Sequence, residues 1–380
     1  RYRRGVESAS ANLGSQIAAY DNALVSLTGE VASVYIQSRT LEEQLVVARG
    51  NVEIQQKGYQ LADVRFRTGE TSGLDPSQAL TLLRSTQAQI PSLESQIRKS
   101  RNALSILLGM PPRDLDAVLG GGDIPKAPEM VALGMPAELL RRRPDIRQAE
   151  LQVAAQNAQI GVAESQLYPS FSLTGSLGYT TSDTNPSDMS DLFNSDSFGY
   201  TIGPGFSWPI LNYGRLKNNV RVQDARLEEL IVNYQYTVLE AAREVEDGLA
   251  GFRGARASTA FLADSVASAQ RSVDLSLIQY REGATDYQRV LDSQKSLQAQ
   301  QEEYTSALGS ISQNLVAVYR ALGGGWQIRA GNDFVPEARQ ERMRERTDWG
   351  DLIPGEKLPD GLPEPPPTGQ AQPLFNPPDW

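Results

Sequence analysis

Any metal site in this sequence would have to be built from carboxylates alone. The chain carries 46 Asp and Glu against 36 Lys and Arg, and it has no His and no Cys. Disulfides, thiolate nucleophiles and the commonest zinc ligands are thereby excluded. Paired carboxylates are plentiful, but nothing in their spacing sets two of them across a cleft, the geometry that glycoside hydrolysis requires. No catalytic residue, metal site or cofactor is predicted, and an enzyme is the weakest reading. The net charge of -10 offers no basic face to a nucleic acid.

The elements that would position any functional group are read from periodicity. Between Leu139 and Leu177 a helical pattern changes to a strand pattern. Ile146, Leu151, Ala154, Ala158 and Val162 fall three to five apart, with Pro144 in the first turn where its missing N–H costs little, so 139–166 reads as an amphipathic helix. From Phe171 the period drops to two: Phe171, Leu173, Gly175, Leu177 and Tyr179 share one face, and Ser172, Thr174, Ser176, Gly178 and Thr180 the other. A second strand sets Phe198, Tyr200, Ile202, Pro204, Phe206 and Trp208 against Gly199, Thr201, Gly203, Gly205 and Ser207. Its length suits a tilted strand crossing a bilayer, which takes about 9–11 residues. The apolar face, with aromatics near its ends, would then meet lipid, and the small polar face an aqueous interior. A half-buried hairpin in a soluble sheet would show the same alternation. Residues 181–197, with Asp183, Asp188, Asp191, Asp196 and Pro186, suit an exposed extracellular loop. No stretch of 18 or more apolar residues occurs, so no membrane-spanning helix is expected, while a β-barrel route stays open.

From Leu24 onward a seven-residue repeat marks a coiled-coil seam. Leu24, Val31, Ser38, Leu45, Val52, Tyr59 and Phe66 hold one position, and Leu27, Val34, Leu41, Ala48, Gln55 and Ala62 the other. Gly69, Gly73 and Asp75 supply a tight turn, and a return helix carries Leu83, Ile90, Leu93, Ile97, Leu104 and Leu107 to Gly109. The same hairpin recurs at an offset of 214 residues, without a gap: Tyr20 matches Tyr234, Arg39 Arg253, Arg67 Arg281, Gly69 Gly283 and Gly109 Gly323. The second seam is lighter, with Ala241, Gly248, Ala255, Ala269 and Ser276. If the repeat unit is helix, β-hairpin, long helix and return helix, the first copy's opening helix and strands are expected upstream of Arg1, giving four strands per complete chain. Membrane barrels need about eight, so the barrel would be shared between copies.

These patterns come with a resemblance. The run Leu139 to Ile146 with its Arg143-Pro144-Asp145-Ile146 core, Ala149-Glu150, the Tyr168-Pro169 bend, Trp208-Pro209-Ile210, Tyr213-Gly214-Arg215 and Tyr280-Arg281-Glu282-Gly283 resemble the TolC-like outer-membrane efflux ducts, in the OprM-like lipoprotein branch. The similarity covers about residues 1 to 326. It implies a mainly α fold with a membrane β-hairpin, in which long coiled-coil hairpins form an α-barrel below a shared trimeric transmembrane β-barrel. It also implies a homotrimer in outer-membrane lipid, extending into the periplasm, lipid-anchored when complete. A periplasmic adaptor protein would couple it to an inner-membrane RND-type transporter for export of drugs and small toxic compounds. The domains expected are a first helical hairpin (1–109), an equatorial linker (110–138), an opening helix (139–166), the membrane hairpin with its loop (167–210), a second helical hairpin (211–323) and a charged, then Pro-rich tail (324–380), which holds ten prolines after residue 335.

Two sites follow from the resemblance. In Val290-Leu291-Asp292-Ser293-Gln294, Asp292 takes the place of an aspartate that forms a constriction ring at the periplasmic gate, while Gln288 stands where the OprM-like pattern has a leucine. At the tips, Arg67, Thr68 and Gly69, with Tyr280, Arg281 and Gly283, match the turns where the adaptor is expected to dock; turn chemistry alone accounts for much of the two glycines. Same-fold ducts for type I protein secretion or metal-ion export, and a soluble coiled-coil scaffold, are the alternatives.

Overall fold

A seam that repeats every seven residues from Leu24 to Phe66 makes for an unusually long helix. In the computed structural model, which describes residues 1–128, 142–179, 198–329, 335 and 337–348, helix α1 is Tyr2–Arg67, 66 residues or about 100 Å at 1.5 Å per residue. The turn returns as α2, Leu74–Leu107. The second copy repeats this as α5, Tyr213–Arg281, and α6, Tyr287–Ala321. Between the copies lie α3, Asp116–Leu119, within the expected linker, then α4, Pro144–Glu164, and strands β1, Ser170–Tyr179, and β2, Phe198–Ser207. The repeat holds at backbone level. Gly69 and Gly283 have φ of +80° and +77°, and Gly109 and Gly323 +71° and +72°, so the left-handed positions that close each helix recur in both copies.

Of the two seam positions in α1, one is buried at Leu41, Ala48, Gln55 and Ala62 but exposed at Leu27 and half-buried at Val34; in the other, Ser38 is buried, Leu45, Val52 and Tyr59 are half-buried and Phe66 is exposed. Helix α1 packs against α2 on one side and against α4 and α6 on the other, and α5 covers α4 and α6 in turn. Helices α6 and α4 lie end to end along α1: Gly29, Thr40 and Gly58 of α1 meet Arg320, Gly309 and Gln294 of α6, whereas Gly14 and Ser8 meet Leu151 and Gln159 of α4. Being packed on two sides, α4 buries Ile146, Ala155, Ala158 and Ala163 and leaves Ala154 exposed, a shift from the single face that its spacing predicts.

The motif Arg143-Pro144-Asp145-Ile146 holds this junction. Arg143, 7% exposed, donates through Nη1 to the carbonyl of Ala321 at 2.7 Å and pairs with Glu244 of α5 at 2.8 Å. Its Nε and Nη2 donate to the Asp145 carboxylate at 3.0 and 2.7 Å. One guanidinium therefore joins the start of α4, the end of α6 and the flank of α5. Ile146 is buried beside it, Ala149 half-buried and Glu150 exposed.

The strands pair antiparallel, with Phe171 opposite Phe206, Leu173 opposite Pro204, Gly175 opposite Ile202, Leu177 opposite Tyr200 and Tyr179 opposite Phe198. That register puts both apolar sets on one face, closed at its two ends by Phe171–Phe206 and Tyr179–Phe198 ring pairs at 5.2 and 5.4 Å. Trp208 falls one residue beyond β2; its indole N–H donates to the Leu167 carbonyl at 3.3 Å, which anchors the hairpin's base and takes the ring out of the strand. The expected extracellular loop, Thr180 of the polar strand face, Arg141 and the proline-rich end of the tail lie outside the described residues. The second compact unit, Gly325–Trp380, includes a 3-10 turn at Trp326–Arg329 and α7, Glu337–Arg346, which covers the charged run and buries none of its own side chains.

Candidate functional site at the hairpin tips

Each hairpin reverses by the same backbone device. After α1 the Gly69 N–H donates to Phe66 O and Glu70 N–H to Arg65 O, and after α5 Gly283 N–H donates to Tyr280 O and Ala284 N–H to Gln279 O, all at 2.8–3.0 Å. This pattern satisfies the last helical carbonyls and requires a left-handed residue, which glycine adopts without a Cβ penalty. Helix α6 is then capped by Asp286, whose carboxylate accepts from the Arg289 N–H at 3.3 Å.

The two tips are braced against one another. Tyr280, 1% exposed, donates its hydroxyl hydrogen bond to Asp75 of the first hairpin at 2.8 Å. Its ring meets Tyr287 edge-on at 5.1 Å, and the Arg65 guanidinium lies 4.7 Å from its centroid. Arg65 also pairs with Glu70 at 3.1 Å. Ala62, Ala79, Leu82, Val290 and Leu291 complete the apolar setting. Burial first, and then the bond to Asp75, pushes the Tyr280 phenol up to about 12; burial likewise pushes Tyr287 up, with Tyr280 and Asp75 adding to it. The usual tyrosine value is about 10. A raised value means that the folded tip favours the neutral phenol, so the contribution is whole below pH 10 and is lost as the pH rises through 12. Tyrosinate absorbance is expected to show a late ionisation near pH 12 that Tyr280→Phe removes.

The predicted residues divide. Asp292 and Gln288 are exposed on α6, bonded to each other through Gln288 Nε2 and Asp292 Oδ1 at 2.9 Å, on the side away from buried Tyr287, Val290, Leu291 and Gln294. Arg67 is exposed and pairs with Asp63 at 2.8 Å, Arg281 is exposed beside Glu282 at 3.3 Å, and Thr68 turns its hydroxyl back to the Val64 and Arg65 carbonyls. Tyr280 does not belong with these outward tips. It faces the first hairpin, because an aromatic at the end of α5 fits between Arg65 and Tyr287. Sequence reading missed Arg65, Asp75 and Tyr287 as partners. The signal was a mismatch between repeats, since Tyr280 corresponds to Phe66 and Asp75 to Arg289, so this bond has no counterpart in the other copy.

The sequence model of the outer membrane efflux protein family matches residues 1–110 and 135–324. The chain belongs to this family. It is 33% identical over 328 residues to nodulation protein T of Rhizobium leguminosarum bv. viciae, covering 86% of this chain and 67% of that protein. It is 34% identical over 328 residues to the pyoverdine export outer membrane protein OpmQ of Pseudomonas aeruginosa, covering 86% and 66%. The solved outer-membrane channel OprN superposes with a TM-score of 0.81 at 31% identity, over 86% of this chain and 72% of that one. The long-hairpin fold with its β-hairpin is thus the fold of TolC-like outer-membrane channels, and this efflux-family chain spans about two thirds of the curated relatives it matches.

Proposed function

We propose that the protein serves as the outer-membrane duct of a tripartite efflux pump, a passive trimer that exports drugs and other small toxic compounds. A periplasmic adaptor would engage its hairpin tips and link it to an inner-membrane RND-type transporter. The observation that carries this reading is the β-hairpin. Both of its strands have an unpaired edge among the described residues, and its apolar face is bare, with Phe171 79%, Leu173 75%, Leu177 76%, Tyr200 71%, Ile202 67% and Phe206 62% exposed. Open edges are not tolerated in lipid, so such a hairpin is completed by strands of other copies around a closed barrel.

The tips then act as the gate. The Tyr280–Asp75 bond holds the second hairpin to the first, and three copies of Asp292 around one axis would repel one another and favour cations over anions. Opening parts the hairpins without bond chemistry. OpmQ is named for the export of pyoverdine, which supports a small-molecule cargo over a protein one. Deleting the gene is expected to raise susceptibility to several unrelated small toxic compounds at least fourfold, with restoration by the full-length protein. Sensitivity confined to metal ions, or loss of a secreted protein with unchanged susceptibility, would contradict the cargo. Extraction from cells without detergent would contradict the membrane reading.

A further inference from the structure

The seam between α1 and α6 is polar where a packed helix pair is ordinarily apolar, and most of its amides find a partner. Asn51 Nδ2 donates to Gln301 Oε1 at 2.8 Å. One turn nearer the tip, Gln298 Oε1 accepts from Thr86 Oγ1 of α2 at 3.2 Å and from Gln55 Nε2 at 3.4 Å. The next level toward the tip breaks this pattern. Tyr287 and Gln294 of α6 lie over Gly58 of α1: a Cβ there would stand 2.9 Å from Gln294 Nε2 and 3.1 Å from Tyr287 Oη, so a glycine is what lets both polar ends rest on the α1 backbone. Tyr287 is 0% exposed, and Gln294 and Gln55 are 2% each. Among the described residues, nothing bonds the Tyr287 hydroxyl, either polar atom of the Gln294 amide, or Gln55 Oε1. The hairpins do not call for these groups. The repeat offset places Ala269, Ser272, Gly73 and Leu80 where Gln55, Gly58, Tyr287 and Gln294 stand, so the other copy has no amide or phenol at these positions.

We infer that this level of the α1–α6 seam is a binding site for water, held between Tyr287, Gln294 and Gln55 above Gly58. A buried polar group is costly when it is left unbonded, and each such group in a folded protein has a partner to be found. The Tyr287 hydroxyl and Gln294 Nε2 donate to the water, which donates on to the two amide oxygens; a buried water takes about two to four such bonds. No carboxylate is among the four atoms, which suits water rather than a divalent cation. The consequence lies at the tip. The Tyr287 ring meets Tyr280 edge-on at 5.1 Å, and Tyr280 in turn bonds Asp75 at 2.8 Å. The water thus holds one end of a ring pair that Asp75 holds at the other, and it couples Gln294 to the brace between the hairpins. The site stands whether or not the chain serves as an efflux duct.

The test is a double-mutant cycle in the full-length protein with Tyr287→Phe and Gln294→Met, each close in shape to the residue it replaces. With water between them, either single variant leaves the other side chain short of a partner and lowers the midpoint of thermal unfolding by roughly 2–4 °C. The double variant, with neither group left to satisfy, returns to the wild-type midpoint or rises above it. Effects that simply add overturn the inference, and so do single variants that each raise the midpoint, the result for groups buried dry and unbonded. A density map of the full-length protein fine enough to show ordered water decides the same point directly. Solvent density within hydrogen-bond distance of Tyr287 Oη and the Gln294 amide is expected in the wild type and is lost in the double variant. A wild-type map with no such density, or with the phenol bonded directly to the amide, overturns the site.

Discussion

Asp292→Ala in the full-length protein is expected to raise single-channel conductance and bring the cation-to-anion permeability ratio down to near one. Asp292 sits on the exposed side of α6, held by Gln288 Nε2 at 2.9 Å, on the face opposite the buried Tyr287, Val290 and Leu291. The bond it accepts is from an amide, which orients the carboxylate and leaves its charge in place. Three such carboxylates at one level create a negative ring that draws cations, binds divalent ions and repels anions. The test is the reversal potential under a salt gradient, with and without millimolar magnesium. Wild type should be cation-selective and blocked by the divalent ion, and the variant neither. Gln288→Leu, which keeps the charge and removes only its holder, should retain most of the selectivity.

The largest loss of stability is expected from Arg143→Ala. Arg143 is 7% exposed, and its guanidinium serves four acceptor atoms in three groups: the Ala321 carbonyl, one oxygen of Glu244 and both oxygens of Asp145. Burial pulls its pKa down, but Asp145 and then Glu244 more than offset that, and the group is held above its ordinary value. Removing it leaves the Ala321 carbonyl at the end of α6 without its donor and two partly solvated carboxylates without their cation, a cost of about 1–3 kcal/mol, which corresponds to a fall of roughly 2–12 °C in the midpoint of thermal unfolding. Arg143→Lys should lose part of this, because an ammonium cannot make the bidentate contact with Asp145. Arg142→Ala, at an exposed neighbour, should change little.

Sequence carried the long-range plan of the fold because that plan is periodic. The seam through Leu41, Ala48 and Ala62, the offset that pairs Gly69 with Gly283, and the strict alternation that puts Phe171 and Phe206 on the apolar faces of their strands all repeat at a spacing set by backbone geometry. What it withheld depends on contacts between distant segments. Ala155 rather than Ala154 is buried in α4 because that helix is packed by both α1 and α5. Tyr280 reads as part of a turn, and only the approach of Asp75, 205 residues away, makes it a brace. Arg143 was visible as a motif, but its reach to Ala321 and Glu244 was not. The gate role proposed for Asp292 depends on copies of that residue in neighbouring chains, which no single chain displays.

In the proposed duct, bonds between its own hairpin tips hold the closed state. The most direct test is the open probability of the full-length channel in a planar bilayer, wild type against Tyr280→Phe with Asp75→Asn. A hydrogen bond to a charged group contributes about 1.5–3 kcal/mol, so its loss shifts the closed-to-open ratio roughly ten- to a hundredfold in each copy. The wild type is expected to be mostly closed with a small conductance, and the variant to be open for much of the record at higher conductance. Equal open probability and equal conductance in the two would contradict it.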